Sequence, residues 1–402
     1  MPDQTYFRKG FGLKGAIEGV LTADYQSGII DAFKANGHRL SAGPVTFRLA
    51  KEFGFCYGVD RAVEYAYETR TKFPDRRLVM VGEIIHNPHV NQKLEAMGLE
   101  FIRRGEEGNF DFSRITADHV VILPAFGVTI QDFTALRAIG CVLVDTTCGS
   151  VLNVWKRVES YARDGFTSVI HGKYWHEETK ATASQVTKYA DGRFLVLFDM
   201  AEARQIIDYL EHGGDPGPLV GKFGATASPG FDFDRDLVRV GIANQTTMLS
   251  KESLAIAEEF RQAMIRKYGP AAEADHVRTF DTICSATQER QDAVAELLVD
   301  RPDVMVVVGG YNSSNTNHLA ALCSRQGVRT FHIEDAECID PATGTIRHRP
   351  VGAKEETLTA AWLGGARSIG LTAGASTPNN KIGETVARIV IGLGIDPAEL
   401  LR

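Results

Sequence analysis

The sequence predicts an α/β protein built as three similar lobes around a pseudo-threefold axis, and three observations carry that prediction. A unit of cysteine, helix, strand and polar loop occurs three times. Its internal spacing is nearly constant: thirty residues separate Cys56 from His86, and twenty-eight separate Cys148 from His176 and Cys284 from Asn312. Each strand of the unit is a short apolar run that ends abruptly in chemistry-bearing residues, and open α/β sheets bind ligands at the carboxyl ends of their strands. Internal repetition outranks local signals in deciding a fold. Each lobe should therefore bring one cysteine and one polar loop to a common centre.

Residues 1–48 read as an N-terminal extension that packs against the first lobe. Gln26–Asn36 is helical with Gly37 as its stop, and Val45–Leu49 is a short strand leading to the first cysteine. The extension holds a G-x-G-x-x-G pattern from Gly10 to Gly15. No strand precedes it and no βαβ spacing follows, so it lacks the context a dinucleotide site needs. The first lobe, 49–147, carries Cys56 in GFCYGVD (54–60), then the helical run Arg61–Lys72 and the strand Leu78–Val81. The loop GEIIHNP (82–88) follows, then a helix over Val90–Met97 that ends at Gly98. Strands His119–Leu123 and Cys141–Val144 complete the lobe.

The second lobe, 148–283, opens at Cys148 in DTTCGS (145–150). Val151, Val154, Val158 and Tyr161 recur at helical spacing. Gly165 closes that helix, Phe166–Ile170 is a buried strand, and the loop HGKYWHEET (171–179) follows. This one unit offers a thiolate, two imidazoles, an ammonium and two carboxylates. Phe194–Phe198 and Val238–Ala243 are further strands, the latter ending in NQTT (244–247), and His276–Phe280 delivers the chain to Cys284. The Gly- and Pro-rich stretch Gly213–Phe233 reads as a surface loop insertion. The third lobe, 284–402, runs from Cys284 through the helix Glu289–Leu298 and the strand Val304–Val308 to the loop GGYNSSN (309–315). Strands Thr330–Ile333 and Ser368–Leu371 follow, the second ending in TAGASTP (372–378), and a helix over Ile382–Gly392 closes the chain.

Bulk properties narrow the class. The chain has 402 residues and a formal net charge of −7, with no basic cluster, so nucleic acid is not an expected partner. No apolar run reaches membrane-span length, and the N-terminus has no signal-peptide pattern. A cytoplasmic, thiol-reducing setting is expected, in which the six cysteines read as metal or catalytic thiols before disulfides.

Three cysteines, each opening an equivalent helix, can ligate three irons of a [4Fe–4S] cluster and leave the fourth open for chemistry. A helix N-terminus favours the thiolate. Zinc is the competing metal. Cys141, Cys323 and Cys338 have no such equivalence and read as small buried hydrophobes. His86, His176, Ser313, Ser314, Asn315, Thr246 and Ser376 fall on strand ends and adjoining helix starts, where imidazoles, hydroxyls, amides and helix N-termini can hold phosphate without a P-loop. Helix capping is the plainer reading for any one of them. Glu178, beside His176, is the best general acid in the chain; Glu177 fits a plain surface carboxylate at a helix start.

These motifs together resemble the 4-hydroxy-3-methylbut-2-enyl diphosphate reductase (LytB/IspH) family, in its longer cyanobacterial and plant-type branch, from about Tyr25 to Ile391. They are GFCYGVDRA (54–62), GEIIHNP (82–88), DTTC (145–148), HEE (176–178), QTT (245–247), NSSNTN (312–317) and TAGAS (372–376). The resemblance implies a trefoil of three α/β lobes around a central cavity that contains the cluster. It also implies a reaction, the last step of the non-mevalonate isoprenoid pathway. An allylic diphosphate loses its hydroxyl as water, with two electrons and two protons, to give isopentenyl and dimethylallyl diphosphates. By that resemblance Cys56, Cys148 and Cys284 hold one [4Fe–4S] cluster per chain with an open iron. Glu178, with Thr246, supplies protons, and His86, His176, Ser313, Ser314, Asn315 and Ser376 hold the diphosphate. Reduced ferredoxin or flavodoxin would be the electron donor, and a homodimer is compatible. The chain departs from the common pattern at Phe126 and Lys173, where histidines are usual, and at Gly149, where proline is frequent. Lys173, on the loop that carries His176, is a candidate to supply the missing diphosphate contact. Two other classes remain open: an iron–sulfur protein that only relays electrons, and a metal-dependent hydrolase of a phosphorylated substrate.

Overall fold

The computed structural model describes residues 5–106 and 108–401; the first four residues of the predicted N-terminal extension and the last residue of the third lobe lie outside them. The class is α/β as predicted. Three sheets of four or five strands are present, each mainly or wholly parallel in its described pairings, with a smaller antiparallel sheet beside them in sequence. By packing, the chain divides into two compact units.

One unit comprises Asp75–Gly82 and Glu100–Cys284, with the chain up to Arg8. Its first sheet orders the strands Tyr6–Phe7, Val142–Asp145, Val120–Leu123, Leu78–Val81 and Leu99–Ile102. The central strands are buried at every position, which explains their unbroken apolar runs: a parallel strand is covered on both faces. The second sheet is wholly parallel and orders Val277–Thr279, Val240–Asn244, Thr167–His171 and Phe194–Leu197. The helix Gly149–Arg163 buries Val151, Val154, Val158 and Tyr161, the stripe read from the sequence. Tyr161 lies flat on the strand at Gly241, where an added Cβ would sit 2.4 Å from the ring, and its hydroxyl donates to the Ile242 carbonyl. The stretch 213–233 is more than a loop. It forms a helix over Gly217–Phe223, and Leu219, Phe223 and Phe233 join the core. The glycines and prolines break and start this short helix rather than preventing it.

The other unit comprises Lys9–Pro74, Glu83–Leu99 and Ser285–Arg402. Its sheet orders Arg329–Ile333, Val304–Val308, Ser368–Ala373, Val45–Leu49 and Arg39–Ala42; only the last pairing is antiparallel. The strand before Cys56 is thus paired with a strand from the far end of the chain. The antiparallel sheet Ile339–Asp340, Thr345–His348 and Thr357–Ala360 follows the strand Arg329–Ile333 in sequence.

The G-x-G-x-x-G stretch is preceded by the two-residue strand Tyr6–Phe7 and followed by the helix Lys14–Tyr25, so a strand does precede it after all. Its backbone is nevertheless committed elsewhere. The N–H groups of Phe11 and Leu13 donate to the buried Glu68 carboxylate at 2.6 and 2.7 Å. Gly10 has φ +68°, and a Cβ there would meet the Tyr65 ring at 2.5 Å. Phosphate would have to displace a carboxylate from these donors, so the pattern is a docking loop for the helix Tyr57–Lys72. No helix among the described residues is long and apolar enough to cross a membrane.

Candidate active site

In the unit that contains Glu178, the polar loops at the strand ends are stitched together residue by residue. The strand Thr167–His171 ends at His171, and the chain turns through Gly172 into the helix Glu177–Val186, capped by His176. Gly172 is required for close approach: an added Cβ would lie 2.8 Å from Thr179 Oγ1 and 3.1 Å from the Gln245 side chain. Gln245, at the end of the neighbouring strand, closes that gap. Its Oε1 accepts from the Lys173 N–H at 3.0 Å and from Thr179 Oγ1 at 3.2 Å, while its Nε2 donates to Thr247 Oγ1. The next residue, Thr246, donates twice to Glu178: its N–H to Oε1 at 2.6 Å and its hydroxyl to Oε2 at 2.9 Å. Glu178 and Thr246 are both buried, at 3% and 4% exposure, so Glu178 is not a surface carboxylate. Glu177 is half-buried.

The cysteines of this unit tie into the same loops. The Cys284 N–H donates to the Thr246 carbonyl at 3.2 Å, and Thr282 braces Asn244 through its hydroxyl. One residue, Thr246, therefore holds the carboxyl of Glu178 and the backbone of Cys284. The Cys148 N–H donates to the Ala125 carbonyl at 2.8 Å, and Asp145 fixes the turn before it by accepting from Thr147 and from the Tyr6 hydroxyl. Phe126, on the loop that receives Cys148, presents its ring edge-to-face to His176 with centroids 6.0 Å apart. His176 Nδ1 accepts the Glu178 N–H at 3.1 Å, which leaves the ring proton on Nε2 as a donor. Lys173 is half-buried, and its carbonyl accepts the His176 N–H, so the lysine and the histidine share one tight turn.

The other imidazole of the His171–Thr179 loop bonds a serine from a distant helix. His171 is fully buried, with Nδ1 2.8 Å from Ser253 Oγ, and burial pushes its pKa down to about 4. His332, in the other unit, is likewise pushed down to about 4 by burial. Both are neutral in the fold and become protonated in the unfolded chain below about pH 6.5. Between pH 6.5 and 4 the unfolded state thus binds more protons, and stability falls as pH falls. Over that whole range each histidine accounts for on the order of 3 kcal/mol at most. Urea melts at pH 7 and pH 5 should show a clear loss of midpoint at the lower pH, and a smaller loss in His171→Gln. An equal loss in that variant would remove His171 from the account.

In the other unit the loops at residues 83–88, 309–315 and 374–377 converge. Ser376 Oγ donates to the His86 carbonyl at 3.2 Å, and a Cβ on Gly310 would lie 2.6 Å from that same oxygen. His86 Nδ1 sits 2.9 Å from Glu83 Oε2, a pairing that orients the ring. Ser313 caps the helix Ser314–Arg325, accepting from the Thr316 N–H. Ser313, Ser314, Asn315 and Ser376 are buried, and Ser314 Oγ and Asn315 Nδ2 have no partner among the described residues. Two buried donors at a helix N-terminus are what an anion there would bond to. Cys56 joins this group: its N–H donates to the Ala375 carbonyl at 3.2 Å, and the Ala375 N–H donates to Asn315 Oδ1 at 2.9 Å.

The six cysteines fall into two environments. Cys56 and Cys148 occupy helix N-cap positions, Cys284 directly precedes the helix Ser285–Val299, and all three are half-buried. Cys141, Cys323 and Cys338 are buried. Burial pushes the thiols of Cys141 and Cys338 up and that of Cys323 up to about 12, so these stay protonated and inert. A donor set of three accessible thiols at helix starts fits a cluster that takes three thiolates.

Arg290 is a residue the sequence reading passes over. It is 3% exposed, on the helix that follows Cys284, and donates to the carbonyls of Gly54 and Phe55 beside Cys56. The signal was present: Thr287, Arg290, Gln291, Val294 and Leu298 repeat at helical spacing and form the buried face.

Comparison with known proteins gives a consistent picture. A family model described as LytB protein matches residues 47–390. A protein of Gloeobacter violaceus named 4-hydroxy-3-methylbut-2-enyl diphosphate reductase is 50% identical over 393 residues, covering 97% of this chain and 93% of its own. One of the same name from Thermosynechococcus vestitus is 48% identical, covering 96% and 94%. Among solved structures, the E-1-hydroxy-2-methyl-but-2-enyl-4-diphosphate reductase of Plasmodium falciparum superposes with a TM-score of 0.63 at 21% identity, covering 85% of this chain and 86% of its own, a likeness of fold. A structure titled as (E)-4-hydroxy-3-methyl-but-2-enyl diphosphate reductase, the terminal enzyme of the non-mevalonate pathway, gives 0.52 at 28% identity, covering 85% and 98%.

Proposed function

The chain belongs to the LytB protein family, and on that premise we propose that it reductively dehydroxylates (E)-4-hydroxy-3-methylbut-2-enyl diphosphate to isopentenyl and dimethylallyl diphosphates. This would be the last step of the non-mevalonate isoprenoid pathway, run in the cytoplasm. Cys56, Cys148 and Cys284 would hold one [4Fe–4S] cluster, which would supply the electrons and a Lewis-acidic iron. The protein's own part is to bind, orient and protonate. Ser313, Ser314, Asn315, Ser376 and His86 bind the diphosphate, as does His176 through Nε2–H. Breaking a C–O bond requires the leaving oxygen to be protonated. Glu178 holds that proton, and Thr246 fixes both of its carboxyl oxygens.

The observation that carries this reading is the double attachment of Thr246, to the Glu178 carboxyl on one side and to the Cys284 backbone on the other. It binds a buried acid to a candidate iron ligand with no flexible link. An electron-relay protein has no use for such an acid, and a hydrolase has no use for the reductant. The test is an anaerobic assay of iron-loaded protein with reduced ferredoxin or flavodoxin, following both diphosphate products. Isoprenoid diphosphates formed only with reductant support the proposal. Cluster reduction without product would indicate a relay, and reductant-independent release of phosphate a hydrolase.

Lys173 is assigned to the diphosphate as a point charge with three donors. Phe126, where a histidine is usual in the family resemblance, cannot donate a hydrogen bond, and its ring lies against His176. Lys173→Ala should raise KM strongly and lower kcat less, the sign of lost uniform binding. Phe126→His should restore part of the affinity in that background. An unchanged KM for Lys173→Ala at low salt, where screening is weakest, removes the lysine from the site.

A further inference from the structure

Arg290 poses an electrostatic question that the fold alone does not answer. Its guanidinium is buried. Nε and Nη2 donate to the Gly54 carbonyl at 3.2 and 2.8 Å, Nη2 also to the Phe55 carbonyl at 3.1 Å, and Nη1 to the Ala286 carbonyl at 2.9 Å. Among the described residues no carboxylate lies within ion-pair distance of it. Asp60 feels its charge but does not pair with it, and burial, the larger influence, pushes the Asp60 carboxyl up. Taking a cation out of water is expensive unless an anion is near, and backbone carbonyls recover only part of that. The loop it grips is itself confined: Gly54 has φ +68°, and a Cβ there would lie 3.0 Å from Asn379 Oδ1 and 3.2 Å from the Thr377 carbonyl. The Cys56 N–H is taken by the Ala375 carbonyl. The segment 54–56 is thus held from both sides, with a buried positive charge on one of them.

We propose that Arg290 is the fixed counter-charge of the cluster held through Cys56, and that it raises the reduction potential of that cluster. The inference rests on the cluster reading above. A cluster bound by three thiolates is anionic, and reduction adds another negative charge. A fixed cation that accompanies its ligand loop stabilises the reduced form more than the oxidised one, and charge near a cluster is a principal lever on its potential. Arg290 also sets the loop's geometry, so it is a positioning residue with an electrostatic readout.

The test compares Arg290→Gln, which removes the charge and keeps donors, with Arg290→Lys, which keeps the charge and loses the planar fork. Wild type and both variants are loaded anaerobically. Iron and sulfide are counted, secondary structure is compared by circular dichroism, and the cluster is titrated potentiometrically. In Arg290→Gln the reduced-to-oxidised ratio at fixed ambient potential should fall about tenfold, about 59 mV for a one-electron step. Arg290→Lys should stay closer to wild type. A folded Arg290→Gln that loads no iron, beside an Arg290→Lys that does, also supports the charge role. Equal behaviour of the two variants, whether both shifted, both unshifted or both empty, overturns it. Failure of the cluster reading is read separately, as wild-type protein that takes up no iron and sulfide.

Discussion

Replacing Cys148 by serine is expected to leave the chain folded and strip it of iron. Cys148 is the N-cap of the helix Gly149–Arg163, its side chain makes no cap hydrogen bond, and its backbone N–H is held by Ala125. Serine is a preferred N-cap residue, so the substitution should hold or strengthen the helix start. What it removes is the thiolate, and a hydroxyl at ordinary pH is no substitute ligand for cluster iron. The same reasoning covers Cys56, also an N-cap, and extends to Cys284, whose backbone is fixed by Thr246. In each serine variant, iron and sulfide per chain should fall well below wild type and turnover should be nearly abolished. Cys323→Ala is the control. Its thiol is fully buried among Leu319, Val307 and Leu298 and protonated, so alanine leaves a small cavity that lowers the melting midpoint without touching iron. Iron lost from Cys323→Ala but kept in Cys148→Ser would overturn the ligand assignment.

The difference in setting between those cysteines is legible in the sequence, because it lies in local pattern. A cysteine followed by a helical stripe, an apolar run and a polar loop says where it will sit, and three copies say that the position matters. The strands Leu78–Val81 and Val304–Val308 were legible for the same reason, being unbroken apolar runs that end at a glycine. What local pattern could not convey was long-range pairing. Val45–Leu49 reads as a strand but gives no hint that its neighbour is Ser368–Ala373. The short strands of 339–360 carry too few alternating residues to stand out from the turns between them. Polar side chains split in the same way. Glu178 was legible as an acid in a chemical loop, yet its burial and its two bonds to Thr246 depend on a contact between distant strands. Lys173 and His171 belong to one loop in sequence, and only the strand's end separates the half-buried lysine from the fully buried histidine. Arg290 sat on a readable helical face, but a charged residue on such a face is usually passed over because its acceptors, the Gly54 and Phe55 carbonyls, are remote in sequence.

Glu178→Gln should fold, keep its iron and lose about 10²–10⁴-fold in kcat, the range typical of a lost general acid. The fold should survive because glutamine can satisfy both of the Thr246 groups that bond Glu178. Its amide oxygen can accept the Thr246 N–H, and its amide nitrogen can donate to the Thr246 hydroxyl, which now donates to Oε2. No buried backbone donor is left without an acceptor, so the larger penalty of an unsatisfied buried group is avoided. The backbone N–H of residue 178 still caps onto His176 Nδ1, so the helix start and the imidazole tautomer are unchanged. What disappears is the transferable proton. Because the substrate's main handle is its diphosphate, KM should move far less than kcat, which separates this variant from Lys173→Ala. Thr246→Val gives a graded comparison: it removes the hydroxyl but retains the N–H to Oε1, so the carboxyl is less well aimed and the loss should be smaller than in Glu178→Gln. Iron content and the cluster's absorption should match wild type in both, which separates a lost proton donor from a lost cofactor. Near-normal turnover in iron-loaded Glu178→Gln would take this carboxyl out of the mechanism and leave its burial against Thr246 as architecture alone.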